Sequence, residues 1–113
     1  MKTARLLISA FLLAFLSSAL FAQSTPKTEN IKVWGNCEMC KVRIEKAAKI
    51  DGVIKADWNK DTQILALVYN PSKVKSEDVQ KKIAASGHDT EKFKGDDQAY
   101  AKLPSCCKYD RKK

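Results

Sequence analysis

Residues 31–50 read IKVWGNCEMCKVRIEKAAKI, and the fold is decided by where this stretch changes its period. Ile31, Val33 and Gly35 alternate with Lys32 and Trp34, which is the pattern of a short half-buried strand. Gly35-Asn36 ends that strand, and Cys37-Glu38-Met39-Cys40 follows at once. From there Ile44, Ala47 and Ala48 fall on one helical face, with Cys40 one turn before Ile44. Lys41, Arg43, Glu45, Lys46 and Lys49 fill most of the rest of that helix. Asp51-Gly52 stops it, Gly52 being suited to a left-handed cap.

Working outward, residues 53–58 read as a second strand with Ile54, Ala56 and Trp58 on one side. Asn59-Lys60-Asp61-Thr62 is turn chemistry between two strands. Residues 63–69 are the most apolar segment after residue 22, which predicts a central strand. Asn70-Pro71 stops it, and Ser76 is the expected N-cap of a second helix opened by Glu77 and Asp78. Val79 and Ile83 share a face of that helix, and Gly87 follows as its cap. Residues 89–94 are expected to form a short fourth strand. The order is βαββαβ, an α+β ferredoxin-like sandwich with a four-stranded antiparallel sheet and two helices on one face. In the tail, Asp96 is expected to cap a short helix over 97–103 that Pro104 ends. Ser105-Cys106-Cys107 and a basic terminus follow.

The chain has 113 residues and a formal net charge of +8, from 21 Lys+Arg against 13 Asp+Glu. That length accommodates one small domain. A hydrophobic fraction of 44% excludes global disorder, and four Gly with three Pro exclude a collagen-like or low-complexity chain. Lys2 and Arg5 precede an apolar run over 6–15, broken only by Ser9, and the small residues Ser17, Ser18, Ala19 and Ala22 close the segment. This is the layout of a secretory signal peptide over 1–22, with cleavage expected after Ala22 or, alternatively, Ala19. The competing readings are a retained anchor, at the short limit for a membrane span, and a buried helix. Removal of 22 residues leaves 91 with a net charge of +6. The expected location is the periplasm, or outside the cell, and an exported chain is not expected to bind nucleic acid despite its charge.

The Cys37-x-x-Cys40 spacing at a strand-to-helix junction brings two thiols to one ion or to each other. A helix N-terminus favours thiolate over thiol, and Lys41 and Arg43 add positive charge nearby. Thiolates select soft ions, with Cu(I) as the leading candidate, Hg(II) and Zn(II) next and Cd(II) also compatible. Two protein ligands leave an open position through which an ion can pass to a partner. The same spacing fits a structural disulfide, since exported chains meet an oxidising compartment. It also fits a thiol–disulfide redox site, although the βαββαβ order argues against a thioredoxin-type fold.

Cys37 and Cys40, Ile44, Glu45-Lys46-Ala47, Gly52-Val53, the Tyr69-Asn70-Pro71-Ser72 corner and Ser86-Gly87 together resemble the heavy-metal-associated domain family. That family includes small copper chaperones, the N-terminal modules of metal-pumping ATPases and periplasmic mercury-binding proteins. The resemblance covers residues 31–94, and with the readings above the chain divides into a signal peptide (1–22), a linker (23–30), this domain, and a Cys-containing tail (95–113). It implies that Cys37 and Cys40 bind metal, that the protein is a carrier and not an enzyme, and that ions pass by thiolate exchange. The implied partner is a metal-transporting membrane protein or another CxxC protein. Two features depart from the family pattern. The family commonly has Gly-Met-Thr before the first Cys; here Trp34-Gly35-Asn36 stands there, so Trp34 or Met39 is expected to fill the space of the missing Met. The first helix is also one residue short before Asp51-Gly52.

In this topology His88 lies at the metal end, as a third ligand, a hydrogen-bond partner for a cysteine sulfur, or a loop histidine with no special role. Cys106 and Cys107 lie outside the family domain. Adjacent cysteines rarely pair with each other, which leaves a share in the Cys37–Cys40 site, a disulfide with those cysteines, or a second ion or partner. With a fourth strand ending at the far end of the sheet, the tail must recross the domain to reach the metal loop, and its length just suffices. Lys41, Arg43, Lys46 and Lys49 are either a solvated helix face or a surface that steers an acidic partner.

Overall fold

The computed structural model describes residues 25–113. The signal-peptide reading of residues 1–22, with its cleavage site, lies outside the described residues. Three strands form one antiparallel sheet: β1 (Lys27–Lys32), β2 (Val53–Asn59) and β3 (Ile64–Tyr69), in the order β1-β3-β2. The apolar segment is central as expected, with Leu65 opposite Ile31 on one side and Trp58 on the other. Helices α1 (Glu38–Ala48) and α2 (Ser76–Ala85) bury Cys40, Ile44, Ala48, Val79 and Ile83 against Ile31, Val33, Ala56, Trp58, Leu65, Leu67 and Tyr69. Helix propensity alone does not hold segments this short, so apolar burial on one sheet face fixes both helices.

Several sequence expectations shift. β1 begins at Lys27, inside the stretch read as linker, because Lys27, Thr28, Glu29 and Asn30 pair with the far end of β3. Ile54 does not join Ala56 and Trp58. The register slips between Val53 and Lys55, which breaks the alternation and leaves Ile54 exposed. Lys75, not Ser76, takes the N-cap position of α2, and the Asp78 carboxylate accepts from the Lys75 N–H. Ser76 is buried and accepts from Gln80 Nε2.

The fourth strand is reduced to one isolated bridge, Val33 to Thr90. Backbone groups that would extend it are taken locally. The Thr90 N–H donates to Phe93 O at 2.8 Å, and the Phe93 N–H donates to Thr90 Oγ1 at 3.1 Å, closing a tight turn. The chain thereby reverses next to the C-terminus of α2: the Asp96 N–H donates to Ala84 O, and Gly95 lies against the Gly87 backbone. The tail therefore starts at the end of the domain that carries the Cys37–Cys40 loop and does not recross the domain. It forms α3 (Asp97–Ala101), shorter than expected but capped by Asp96 accepting from the Ala99 N–H, and a 3-10 turn over Ser105–Cys107. Gly87 permits this docking, since its φ is +105° and a Cβ there would sit 2.9 Å from the Tyr100 nitrogen.

The tail is clamped by a buried carboxylate. Asp89 has no exposure and accepts from Arg111 Nη2 at 2.8 Å, Arg111 Nε at 3.3 Å, the Gly95 N–H at 2.6 Å and the Lys112 N–H at 2.9 Å. Burial would push this carboxyl up, but the guanidinium and the two backbone donors outweigh it and hold it below the usual carboxylate range. The Tyr109 hydroxyl donates to Gly87 O at 2.6 Å and accepts from the Asp89 N–H at 2.8 Å.

Arg111→Ala is expected to cost about 2–3 kcal/mol in urea unfolding. This is less than the ~3–5 kcal/mol for breaking a fully buried pair, because Asp89 keeps its backbone donors. A depressed carboxyl contributes stability that is present above its unfolded pKa and lost as pH falls through the folded one. Stability of the parent should therefore fall as pH drops below about 4, and the Arg111→Ala variant should lose less over that interval.

Candidate metal centre

The loop between β1 and α1 carries the first two thiols. Cys37 is extended (φ −146°, ψ 170°) and forms the N-cap of α1, its carbonyl accepting from the Lys41 N–H at 3.2 Å. Cys40 sits in the first turn, fully buried, with its sulfur 3.3 Å from that of Cys37. Asn36 brackets Cys40: its N–H donates to Cys40 Sγ at 3.5 Å, and Cys40 Sγ donates to Asn36 Oδ1 at 3.4 Å.

Neither Trp34 nor Met39 lies under the loop. Trp58 does so, fully buried, with its indole N–H donating to Val33 O at 3.0 Å. A Cβ on Gly35 would meet the Trp58 ring at 2.9 Å, so the backbone at that position has to be glycine for the loop to lie flat on the indole. Met39 is half exposed at the mouth of the site, and Trp34 is only partly buried at the core's edge. Lys41 does not face the sulfurs. Its ammonium donates to Glu45 Oε2 and Asp57 Oδ1, both at 2.7 Å, and to Trp58 O at 2.8 Å, tying α1 to β2.

The tail brings the other two thiols to the same place. Cys107 is fully buried with its sulfur 3.4 Å from that of Cys37, and the sulfurs of Cys37, Cys40 and Cys107 all lie within 4.8 Å of one another. Cys106 is exposed. Its sulfur lies 3.5 Å from Cys37 Sγ and donates to Met39 Sδ at 3.4 Å. All four cysteines are free thiols.

The environment separates their acidities. Burial opposes ionisation of Cys37, but the Cys40 backbone N–H and the thiols of Cys40, Cys107 and Cys106 outweigh it and bring its thiol down to about 7. Burial dominates at Cys40 and pushes that thiol up against the Asn36 N–H. Burial, and then the neighbouring sulfurs of Cys40 and Cys37, push Cys107 far up. Cys37 is therefore the thiol of the three that ionises most readily, beside two whose ionisation burial opposes.

His88 is not gathered into the sulfur set. Its ring is buried, with Nδ1 2.8 Å from Trp34 O and its face stacked on Tyr109 at 5.1 Å between centroids. Nε2 has no hydrogen-bond partner among the described residues. Burial, ahead of the hydrogen bond to Trp34 O, lowers its pKa and favours the neutral ring. Its position is a packed floor linking the β1–α1 approach to the tail. Sequence reasoning missed Trp58 under the loop, the Tyr109 stack and the Arg111 clamp. Asn36 carried a usable signal, a short polar residue directly before the first cysteine. Tyr109 and Arg111 carried none, since their partners lie some twenty residues away.

No family model matches the chain. The copper chaperone CopZ of Staphylococcus epidermidis (strain RP62A) is 41% identical over 61 residues, which are 52% of this chain and 90% of that protein. Among solved structures, oxidised MerP from Ralstonia metallidurans CH34 superposes with a TM-score of 0.56 at 25% identity, over 59% of this chain and 96% of its own. A copper-binding domain from HMA7, a P-type ATPase, gives 0.54 at 29% identity, over 57% and 89%.

In the metal-free, reduced protein, pH-dependent alkylation with peptide mapping should find Cys37 reacting with a midpoint near 7. Cys40 and Cys107 should stay largely unmodified at neutral pH. A common midpoint for the three would contradict the geometry described.

Proposed function

The chain belongs to the heavy-metal-associated domain family, and from that premise we propose that it is an exported carrier that binds a soft metal ion and passes it on. The observation that carries this reading is the Cys37–Cys40 pair, its sulfurs 3.3 Å apart at the N-terminus of α1, with Cys40 enclosed, Cys37 partly exposed and the Cys37 thiol brought down to about 7. In the mechanism this implies, Cys37 captures the ion as a thiolate, and Cys40 gives up its proton to solvent as it closes on the ion. Delivery is an exchange: a partner thiolate adds to the ion as one of these sulfurs leaves, so no bond to carbon is made or broken and the protein is not an enzyme.

Cu(I) is the proposed cargo, supported by soft sulfur ligands and by the copper named for CopZ and the HMA7 domain. Hg(II) and Zn(II) are the competing ions. The proposed partner is a metal-transporting membrane protein or another CxxC protein. Exposed Met39 and Val42, beside Arg43 and Lys46 on α1, offer that partner an apolar contact with a basic rim next to the loop. Export to the periplasm rests on the charged, apolar and small-residue pattern of residues 1–22.

Mass spectrometry under reducing, anaerobic conditions should show one Cu(I) on the protein and none retained by Cys37→Ser/Cys40→Ser. Equal loading of both would overturn the reading, and insulin-disulfide reduction without metal would favour a redox protein. Protein recovered from the periplasm should start at Gln23, or at Leu20 with the alternative cleavage site; an intact N-terminus would refute cleavage.

A further inference from the structure

The tail puts a third sulfur where a two-cysteine loop would hold its ion in the open. We infer that Cys107 is a ligand supplied by the chain itself, so that Cys37, Cys40 and Cys107 form a three-sulfur site for one thiophilic ion, while Cys106 stays outside it. The inference rests on the reading of Cys37 and Cys40 as the metal site.

Geometry supports it first. Sulfurs sharing one ion at about 2.3 Å stand about 4 Å apart in a three-coordinate arrangement. Here the separations from Cys37 are 3.3 Å to Cys40 and 3.4 Å to Cys107, and all three sulfurs lie within 4.8 Å. Small outward adjustments admit an ion. Burial divides the adjacent tail cysteines: Cys107 is enclosed, while Cys106 is exposed and directed at Met39.

The tail is also held on both sides of these residues, which a dangling segment would not be. Before the turn, Leu103 is buried, and the Tyr100 hydroxyl donates to Tyr109 O at 2.7 Å. Within it, the Cys107 N–H donates to Pro104 O at 2.8 Å. After it, Tyr109 and Arg111 lock onto Gly87 and Asp89. This scaffold aims one buried thiol at Cys37, and among the described residues that thiol's hydrogen-bonding partners are sulfurs. On binding, Cys40, Cys107 and the still-protonated fraction of Cys37 release their protons to solvent and three metal–sulfur bonds form, with no change of oxidation state.

X-ray absorption on the full chain with one equivalent of Cu(I) tests this. Three sulfurs are expected for the parent and for Cys106→Ser, and two for Cys107→Ser. Cu(I) affinity of Cys107→Ser in chelator competition should fall by at least about tenfold, the low end of what losing a supporting group costs a metal site. Two sulfurs in both parent and Cys107→Ser would overturn the inference while leaving the Cys37–Cys40 reading intact. Failure of the parent to bind Cu(I) would overturn both. Should Cys107→Ser fold poorly, alkylation of the Cu(I)-loaded parent decides: Cys106 modified with Cys107 protected supports the site, and equal modification of the two refutes it.

Discussion

A carboxylate without solvent, Asp89, is the constraint on which the rest of the molecule depends. A buried charge is tolerated only when it is paired and its remaining lone pairs are met by donors. Asp89 meets that demand with Arg111 and with the N–H groups of Gly95 and Lys112. All of these belong to the tail, so satisfying one residue at the end of the domain requires residues 95–112 to fold back over it. The Tyr109 hydroxyl, shared between Gly87 and Asp89, fixes the same junction from the other side. Once both ends of the tail are fixed, the turn over Ser105–Cys107 has little freedom except to lie against the Cys37–Cys40 loop.

The sequence was legible where side chains repeat with a period. β1 into α1, the apolar β3 at the centre of the sheet, and α2 after Asn70-Pro71 all follow from alternation or helical spacing, because one buried face sets that spacing. The Cys37–Cys40 pair was legible for a different reason: its two sulfurs are neighbours in sequence as well as in space. Legibility failed where a local contact outcompeted the pattern. Residues 89–94 have the composition of an edge strand, yet the Thr90 hydroxyl and carbonyl-directed bonds to Phe93 close a turn there and leave one bridge to Val33. Ile54 has strand parity with Ala56, and a register slip turns it outward.

The tail was legible only in part. Its two cysteines were visible, as was the Asp96 cap of α3, but their route to the loop was not. An assumed fourth strand sent the chain to the far end of the sheet and made the return a matter of length. The turn at Thr90–Phe93 removes that journey. The missing datum was the Asp89–Arg111 pair, a contact across twenty-two positions with no local signature. Trp58 under Gly35 is similar. Sequence parity placed it in the core correctly, but only the folded register between β2 and β3 shows that it supports the loop.

Together these features change what transfer demands. In a two-cysteine loop the open position is free for the sulfur of a partner. Here that position faces Cys107, held in place by the domain's own ion pair. A sulfur tethered this way competes at an effective concentration that a partner in solution rarely reaches. Release then depends on a partner that meets the site from the exposed side, where Cys106 and Met39 stand, and displaces sulfurs one at a time. Retention is set by the buried side of the site and exchange by the open side. The tail adds one residue to each side, Cys107 turned inward beside Cys40 and Cys106 turned outward beside Met39.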